Sequence, residues 1–229
     1  MNKTNSKKKL IWVLLSGILG CILMGGSDWL MIYGDTAYKG SLSWLTVGVA
    51  EIGPERNALA LLFAFPAVIF YSIALFGIKK FIEDERQKKI YSGLTAVGLT
   101  PWLCIHLLYV MIFYTFAWLT KEGHEALAYE TGEAMFGQFA WVIPVGEVIM
   151  LLPFIYWFIV VVTNKTVFPR LMALNNPLII YVILKVFTSI LPDQPFRLAF
   201  VNGLMSESMV IWFVSFIIFV MSAKQEENW

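Results

Sequence analysis

Five ionisable residues lie in stretches of sequence that are otherwise apolar enough to cross a lipid bilayer. They are Asp28, His106, Glu147, Lys185 and Glu207, and they come from distant parts of the chain. A charge in hydrocarbon costs several kcal/mol, so such residues usually face the protein interior and mark a functional site. Carboxylates accompanied by one lysine and one imidazole are suited to binding a polar or cationic group, or to exchanging a proton.

The composition is typical of an integral membrane protein. The 229 residues are 59% hydrophobic and 14% charged, whereas soluble domains carry about 25% charged residues. The net charge of +1 offers no basic patch for nucleic acid. Cys21 and Cys104 lie in separate apolar runs, which favours packing roles over a disulfide or a metal pair. Zinc-helix, P-loop and nucleophile-elbow motifs are absent from the sequence, which sets those chemistries aside and leaves any cofactor unknown.

Apolar windows predict an all-α bundle of six transmembrane helices in a single domain, residues 1–229. The predicted spans are 10–33, 57–78, 90–119, 139–163, 171–192 and 200–222. The third window exceeds the membrane thickness and predicts tilt or an extension beyond the bilayer. The lysines at 7–9 followed by an apolar run resemble a signal peptide, but that run continues for ~24 residues and favours an uncleaved helix.

The distribution of lysine and arginine predicts the orientation. Twelve of the 17 lie on the side of the N-terminus, four lie on the opposite side, and Lys185 lies within a span. The positive-inside rule therefore places both termini in the cytoplasm of a multi-pass plasma-membrane protein. On the external side, Ser43 to Glu51 is predicted to be an interfacial helix with Trp44 at headgroup depth, and residues 120–138 form a candidate lid.

Counting residues from the predicted external ends gives the depth of each embedded group. Asp28 lies ~8 Å deep, Lys185 ~10 Å, and Glu147 and Glu207 ~11 Å, whereas His106 lies ~20 Å deep. Four helices thus place an ionisable group in one layer. We expect an outward-opening pocket with His106 as its floor.

The faces of the helices support this pocket. Gly17, Cys21 and Gly25 precede Asp28 at helical spacing, and such small residues let helices approach closely, which directs Asp28 towards a neighbour. Asn202 lies near Glu207 in sequence and adds an amide to the predicted binding set. A further feature is Pro144, one turn before Glu147, which predicts a helix kink.

The predicted carboxylates outnumber the lysine. Lys185 could form a structural ion pair with one of them, but the remaining carboxylates must be protonated, hydrated or bound to a cation. Asp28, Glu147, Glu207 and His106 together would suit a hard or intermediate metal ion. Their spacing matches no metal motif, however, so no metal is predicted.

The end of the first span carries a family resemblance. Residues 25–30 (GGSDWL), continuing to Gly34 and Asp35, resemble the first-helix signature of uncharacterised bacterial six-helix membrane families of unknown function. The resemblance implies a bacterial plasma-membrane protein in which Asp28 and Asp35 are the residues carried over. It implies no activity.

Three functional hypotheses follow. The first is a transporter or receptor whose pocket binds a small polar or cationic solute, a proton-coupled substrate or a lipid headgroup. The alternative is a membrane-embedded enzyme that acts on lipids near the outer leaflet, with one carboxylate as general acid or base. The third is a structural or immunity-type partner protein embedded in the lipid bilayer.

Overall fold

The described residues fold almost entirely into α-helices, which confirms the predicted all-α class. The computed structural model describes residues 3–34, 42 and 53–222. The helices are α1 (Lys3–Ile32), α2 (Glu55–Ile78), α3 (Glu85–Lys121), α4 (Glu125–Phe139), α5 (Val142–Val162), α6 (Pro177–Ser189) and α7 (Pro195–Ser222). The predicted interfacial helix at Ser43 to Glu51 and the resemblance residue Asp35 lie outside the described residues.

Within the described residues, five helices are long and apolar enough to cross a membrane: α1, α2, α3, α5 and α7. Each contains most of one predicted window. The fourth window begins at 139, but α5 begins at Val142 because the chain turns at Ala140 and Trp141 after α4 ends. Pro144 is therefore in the first turn of α5, where backbone N–H groups lack helical partners, and the kink predicted there is wrong.

The window predicted at 171–192 is a broken helix rather than one continuous span. Residues Arg170–Leu174 form a 3₁₀ turn, and α6 has 13 residues, a length of ~20 Å against a ~30 Å hydrocarbon core. The break occurs at Asn176, because the residue before proline is disfavoured in a helix. The Asn176 side chain caps α6 by accepting from the Leu178 N–H at 2.9 Å.

The segment before α6, residues 163–176, is called the rising segment here. It enters the bundle beside Phe81, which lies just after α2. The Val167 N–H donates to the Phe81 carbonyl at 3.0 Å, and the Phe168 ring packs against Trp157 with centroids 5.8 Å apart. Asn176 is buried and donates to the Phe154 carbonyl near the middle of α5 at 2.8 Å. Irregular backbone inside the helical bundle is tolerated here because protein surrounds it.

Glycines allow α1 to pack closely against α2. A Cβ at Gly20 would lie 2.5 Å from the Tyr71 backbone nitrogen and 2.8 Å from the Ala67 carbonyl oxygen. A Cβ at Gly17 would lie 2.5 Å from the Ala74 Cβ. Because α1 also packs along α7, this helix is central to the bundle and holds its polar residues between neighbours.

The C-terminal part of α3 forms a helical hairpin with α4. The turn between them contains Gly123 at φ +84°, and the Phe116 and Tyr129 rings meet edge to face at 4.9 Å. The 37 residues of α3 extend ~55 Å, well beyond a hydrocarbon core. The segment predicted as a lid, 120–138, thus contains this turn and nearly all of α4.

Candidate functional site

A cavity of about 340 Å³ lies between α1, α3, α5, α6 and α7. It brings together five of the residues singled out in the sequence: Asp28, His106, Glu147, Lys185 and Asn202. Aromatic and methionine side chains supply much of the remaining wall, among them Met24, Trp102, Tyr109, Met150 and Tyr181. Ligand pockets commonly have ~300–1,000 Å³, apolar walls and a few polar groups, as here.

Asp28 and His106 form a pair across the α1–α3 contact. The distance between Asp28 Oδ1 and His106 Nδ1 is 3.5 Å, with His106 buried and Asp28 partly buried. The expected depths of ~8 and ~20 Å do not agree with this contact, which places both side chains at one level. The difference arises because the end of α3 belongs to the hairpin with α4 and is not level with the end of α1.

Ser27 determines which nitrogen of His106 carries hydrogen. The Ser27 hydroxyl lies 2.5 Å from the Ala60 carbonyl oxygen and 2.7 Å from His106 Nε2. Its single hydrogen is donated to the carbonyl, which can only accept, so Nε2–H donates to Ser27 Oγ. His106 Nδ1 then faces Asp28 Oδ1 at 3.5 Å. Because two lone pairs repel each other at this distance, we infer that a proton lies between them. The Asp28–His106 pair is therefore neutral as a unit.

The order Asp28, His106, Ser27 has the connectivity of a hydrolytic triad, but it lacks the nucleophile. Ser27 is fully buried and is not part of the cavity wall. Its hydrogen is directed to Ala60, whereas a nucleophilic serine donates its hydrogen to the imidazole. The serine thus orients His106, whereas Asp28 and His106 themselves line the cavity.

Replacing Ser27 by alanine tests this orienting role. We expect the free energy of unfolding to fall by about 1–2 kcal/mol, because a buried His106 N–H would lose its acceptor. Denaturant titration of the full chain in detergent micelles measures the change. Ser189→Ala is the matched control, since that exposed hydroxyl bonds only to its own helix at Val186. Equal effects of the two substitutions would contradict the assignment.

Glu147 and Lys185 lie at the mouth of the cavity, on α5 and α6. Both side chains are exposed, and neither forms an ion pair with another residue in the described part of the chain. The structural ion pair considered for Lys185 is therefore not present there. Asn202 is also exposed and donates to the Leu198 carbonyl on its own helix at 2.8 Å.

Glu207 lies in a different cavity, of about 260 Å³, between α1 and α7. Trp29 Nε1 donates to Glu207 Oε1 at 3.1 Å, and Gly203 provides space, because a Cβ there would lie 2.5 Å from that oxygen. Glu207 follows Asn202 by five positions, which places the two side chains ~140° apart around the helix. The single pocket predicted from the sequence is thus divided into two, with Glu207 apart from the others.

The geometry does not assemble the metal set considered from the sequence. No cluster of three or more histidine, cysteine, aspartate or glutamate side chains suited to a metal occurs among the described residues. Asp28 and His106 are adjacent, but Glu207 contributes to the other cavity.

Two contributions were missed in the sequence. Ser27 is a small hydroxyl next to Asp28, and its link to His106 depends on how α1 and α3 pair. Trp29 links α1 to two other helices, since its carbonyl accepts from Arg56 Nη2 on α2 at 2.9 Å and its indole N–H donates to Glu207 on α7. A serine or tryptophan near a span end is common, so its type alone carried no signal.

The chain belongs to a family of unknown function, DUF6796, whose sequence model matches residues 1–225. This agrees with the resemblance of the first helix to uncharacterised families. No curated protein and no solved structure matches the chain.

Proposed function

We propose, for this member of a family of unknown function, a multi-pass protein of a bacterial plasma membrane that binds a small polar or cationic solute, or a lipid headgroup, as a transporter or receptor. One observation carries the proposal. The cavity of about 340 Å³ collects ionisable or amide side chains from five helices that are otherwise mainly apolar. Packing alone does not require such groups to converge, and intramembrane ionisable groups that do converge are usually functional.

The proposal includes six crossings. Five are the long helices, and the sixth consists of the rising segment followed by α6. Asn176 lies beside Phe154, ~12 Å from the end of α5 at Val162. The ~20 Å length of α6 then suffices for the rest of a ~30 Å core. An even number of crossings puts both termini on one side, and the lysine and arginine bias makes that side cytoplasmic.

This orientation makes the cavity open towards the external side. Asp28 is four residues from the end of α1, Glu147 five residues from the start of α5, and Lys185 four residues from the end of α6. All three therefore lie ~6–8 Å from helix ends that we assign to the external face. A ligand from that side would need to pass only one or two helical turns.

The charges favour a ligand with a cationic group. The Asp28–His106 pair is neutral while it holds its proton, and Glu147 supplies a negative charge at the mouth. A cationic group bound against Asp28 would replace the proton of the Asp28–His106 pair. The displaced proton would then pass from the cavity to solvent. Binding of a cation and release of a proton are thereby coupled.

The enzyme alternative also has a specific observation in its favour. A carboxylate–imidazole pair in contact with a cavity can act as general acid or base, and Asp28 and His106 are such a pair. Purified protein that converts a phospholipid, and loses that turnover as His106→Gln, would favour this alternative over a binding protein.

The binding proposal is tested by thermal unfolding of the full chain in detergent with ethanolamine, choline and phosphoethanolamine as probes. We expect at least one probe to raise the Tm, with at least tenfold weaker binding in Asp28→Asn. Asparagine keeps a hydrogen-bond partner for His106 but cannot carry the negative charge. Glu207→Gln is the control, since it lies in the other cavity. Unchanged Tm with every probe, or equal binding by Asp28→Asn, would overturn the proposal.

A further inference from the structure

The mouth of the cavity lies at a gap between two helices. α6 packs far more extensively against α7 than against α5. The described link between α5 and α6 is at the start of α6, where Asn176 donates to the Phe154 carbonyl. Towards the other end of α6 the two helices flank the cavity, with Glu147 on one and Lys185 on the other.

The surface around this gap is apolar. Val145 and Val148 are 51% and 62% exposed beside Glu147, and Val182 and Val186 are 59% and 63% exposed beside Lys185. Exposed valines at these positions of membrane helices face hydrocarbon. The mouth therefore opens sideways into the lipid as well as along the bundle.

Two opposite charges at such a mouth need compensation from outside the described chain. Neither Glu147 nor Lys185 has an ion-pair partner among the described residues, and an uncompensated charge facing hydrocarbon is unfavourable. An ammonium group would satisfy the carboxylate, and a phosphate would satisfy the lysine. A ligand that carries both groups satisfies both residues at once.

We propose that this cavity binds the headgroup of a phospholipid that carries both an ammonium and a phosphate group, which enters sideways between α5 and α6. The inference rests on the proposed binding function and names its ligand class. The headgroup fills the cavity with its ammonium held by Glu147 and Asp28, which both line it, and with its phosphate at Lys185, and the acyl chains remain against the valines. A partner helix or a second copy would cover the mouth but leave the chamber behind it unfilled.

To test this, the full chain in detergent is titrated with three probes, and binding is measured as the change in Tm at each concentration. The probes are short-chain phosphatidylethanolamine, short-chain phosphatidylglycerol and free phosphoethanolamine. We expect half-saturation by phosphatidylethanolamine at a concentration at least tenfold lower than by either other probe. The second lipid lacks the ammonium group, and the free zwitterion lacks acyl chains.

Paired variants assign the effect to the mouth. Glu147→Gln and Lys185→Gln should each raise the half-saturating concentration of phosphatidylethanolamine at least tenfold. Glu130→Gln and Lys80→Gln are the matched controls, because both residues are exposed and lie outside the cavity. They should leave it unchanged.

Each contrary outcome overturns a defined statement. If both lipids raise the Tm at equal concentrations, the ligand does not need an ammonium group. If free phosphoethanolamine acts at the same concentration as phosphatidylethanolamine, the ligand is a soluble molecule and lateral entry from the lipid is not needed. If Glu147→Gln and Lys185→Gln leave the half-saturating concentration of phosphatidylethanolamine unchanged, the lipid binds outside this cavity. A dimer that dissociates in these variants, without a lipid response, means that a second copy covers the mouth. If ethanolamine or choline still binds with dependence on Asp28 in any of these cases, the proposed function stands and only this inference fails.

Discussion

Replacing Trp157 by alanine should lower the free energy of unfolding by about 3–5 kcal/mol, the range for truncating a buried aromatic side chain. Trp157 is 1% exposed, and its ring lies 5.8 Å from that of Phe168, 6.0 Å from Trp212 and 5.4 Å from Phe216. These neighbours belong to α7 and to the rising segment before α6. The substitution would therefore leave a void and loosen the segment that leads into α6 as well.

Trp118→Ala is the control for that substitution. Its side chain is 47% exposed on α3, so its removal should change stability by no more than about 0.5 kcal/mol. Denaturant titrations of both variants in the same micelles give the comparison. A similar loss for the two tryptophans would show that the aromatic cluster does not hold the segment in place.

A second pair of substitutions should change stability in opposite directions. Gly20→Ala should lower the free energy of unfolding by about 1–3 kcal/mol, because the added methyl would meet the backbone of α2 at Tyr71 and Ala67. Gly93→Ala should raise it by about 0.5–1 kcal/mol. Position 93 lies within α3 with nothing within 4 Å of an added Cβ, so only the better helix propensity of alanine acts there.

The same denaturant titration distinguishes packing from propensity in this pair. If helix propensity dominated, both variants would gain stability, since both glycines lie inside helices. A gain at position 20 would mean that α1 and α2 can separate without penalty. The close approach of these helices matters for the site, because Ala60 on α2 accepts the Ser27 hydrogen bond that orients His106.

The neutral Asp28–His106 pair changes how the charges of the site are interpreted. In the sequence, three carboxylates outnumbered one lysine, so the surplus carboxylates had to be protonated, hydrated or bound to a cation. The proton that we infer between Asp28 and His106 neutralises one carboxylate, and Glu207 lies in a separate cavity. The main cavity is left with Glu147 and Lys185 as a pair of opposite charges, which suits a zwitterionic ligand better than a metal cation.

The predicted span at 171–192, which the structure breaks before α6, shows where window-based prediction stops. The apolar content of residues 171–192 is high enough for a helix, and on that content alone one continuous span was predicted. Whether the preceding residues lie in water or inside the bundle could not be predicted locally. That depends on the packing of Phe168 against aromatic side chains of α5 and α7, namely Trp157 and Phe216.

The sequence by itself determined the helical class, the apolar windows of five long helices, and the set of embedded polar residues worth following. These are local properties, since hydropathy, helix period and turn residues act within ~20 residues of chain. Only the tertiary structure decided that Asp28 meets His106, that Ser27 orients it, and that Glu207 points elsewhere. The reason is physical: the partners of a side chain depend on how distant helices are paired and rotated about their axes, and packing between helices sets both.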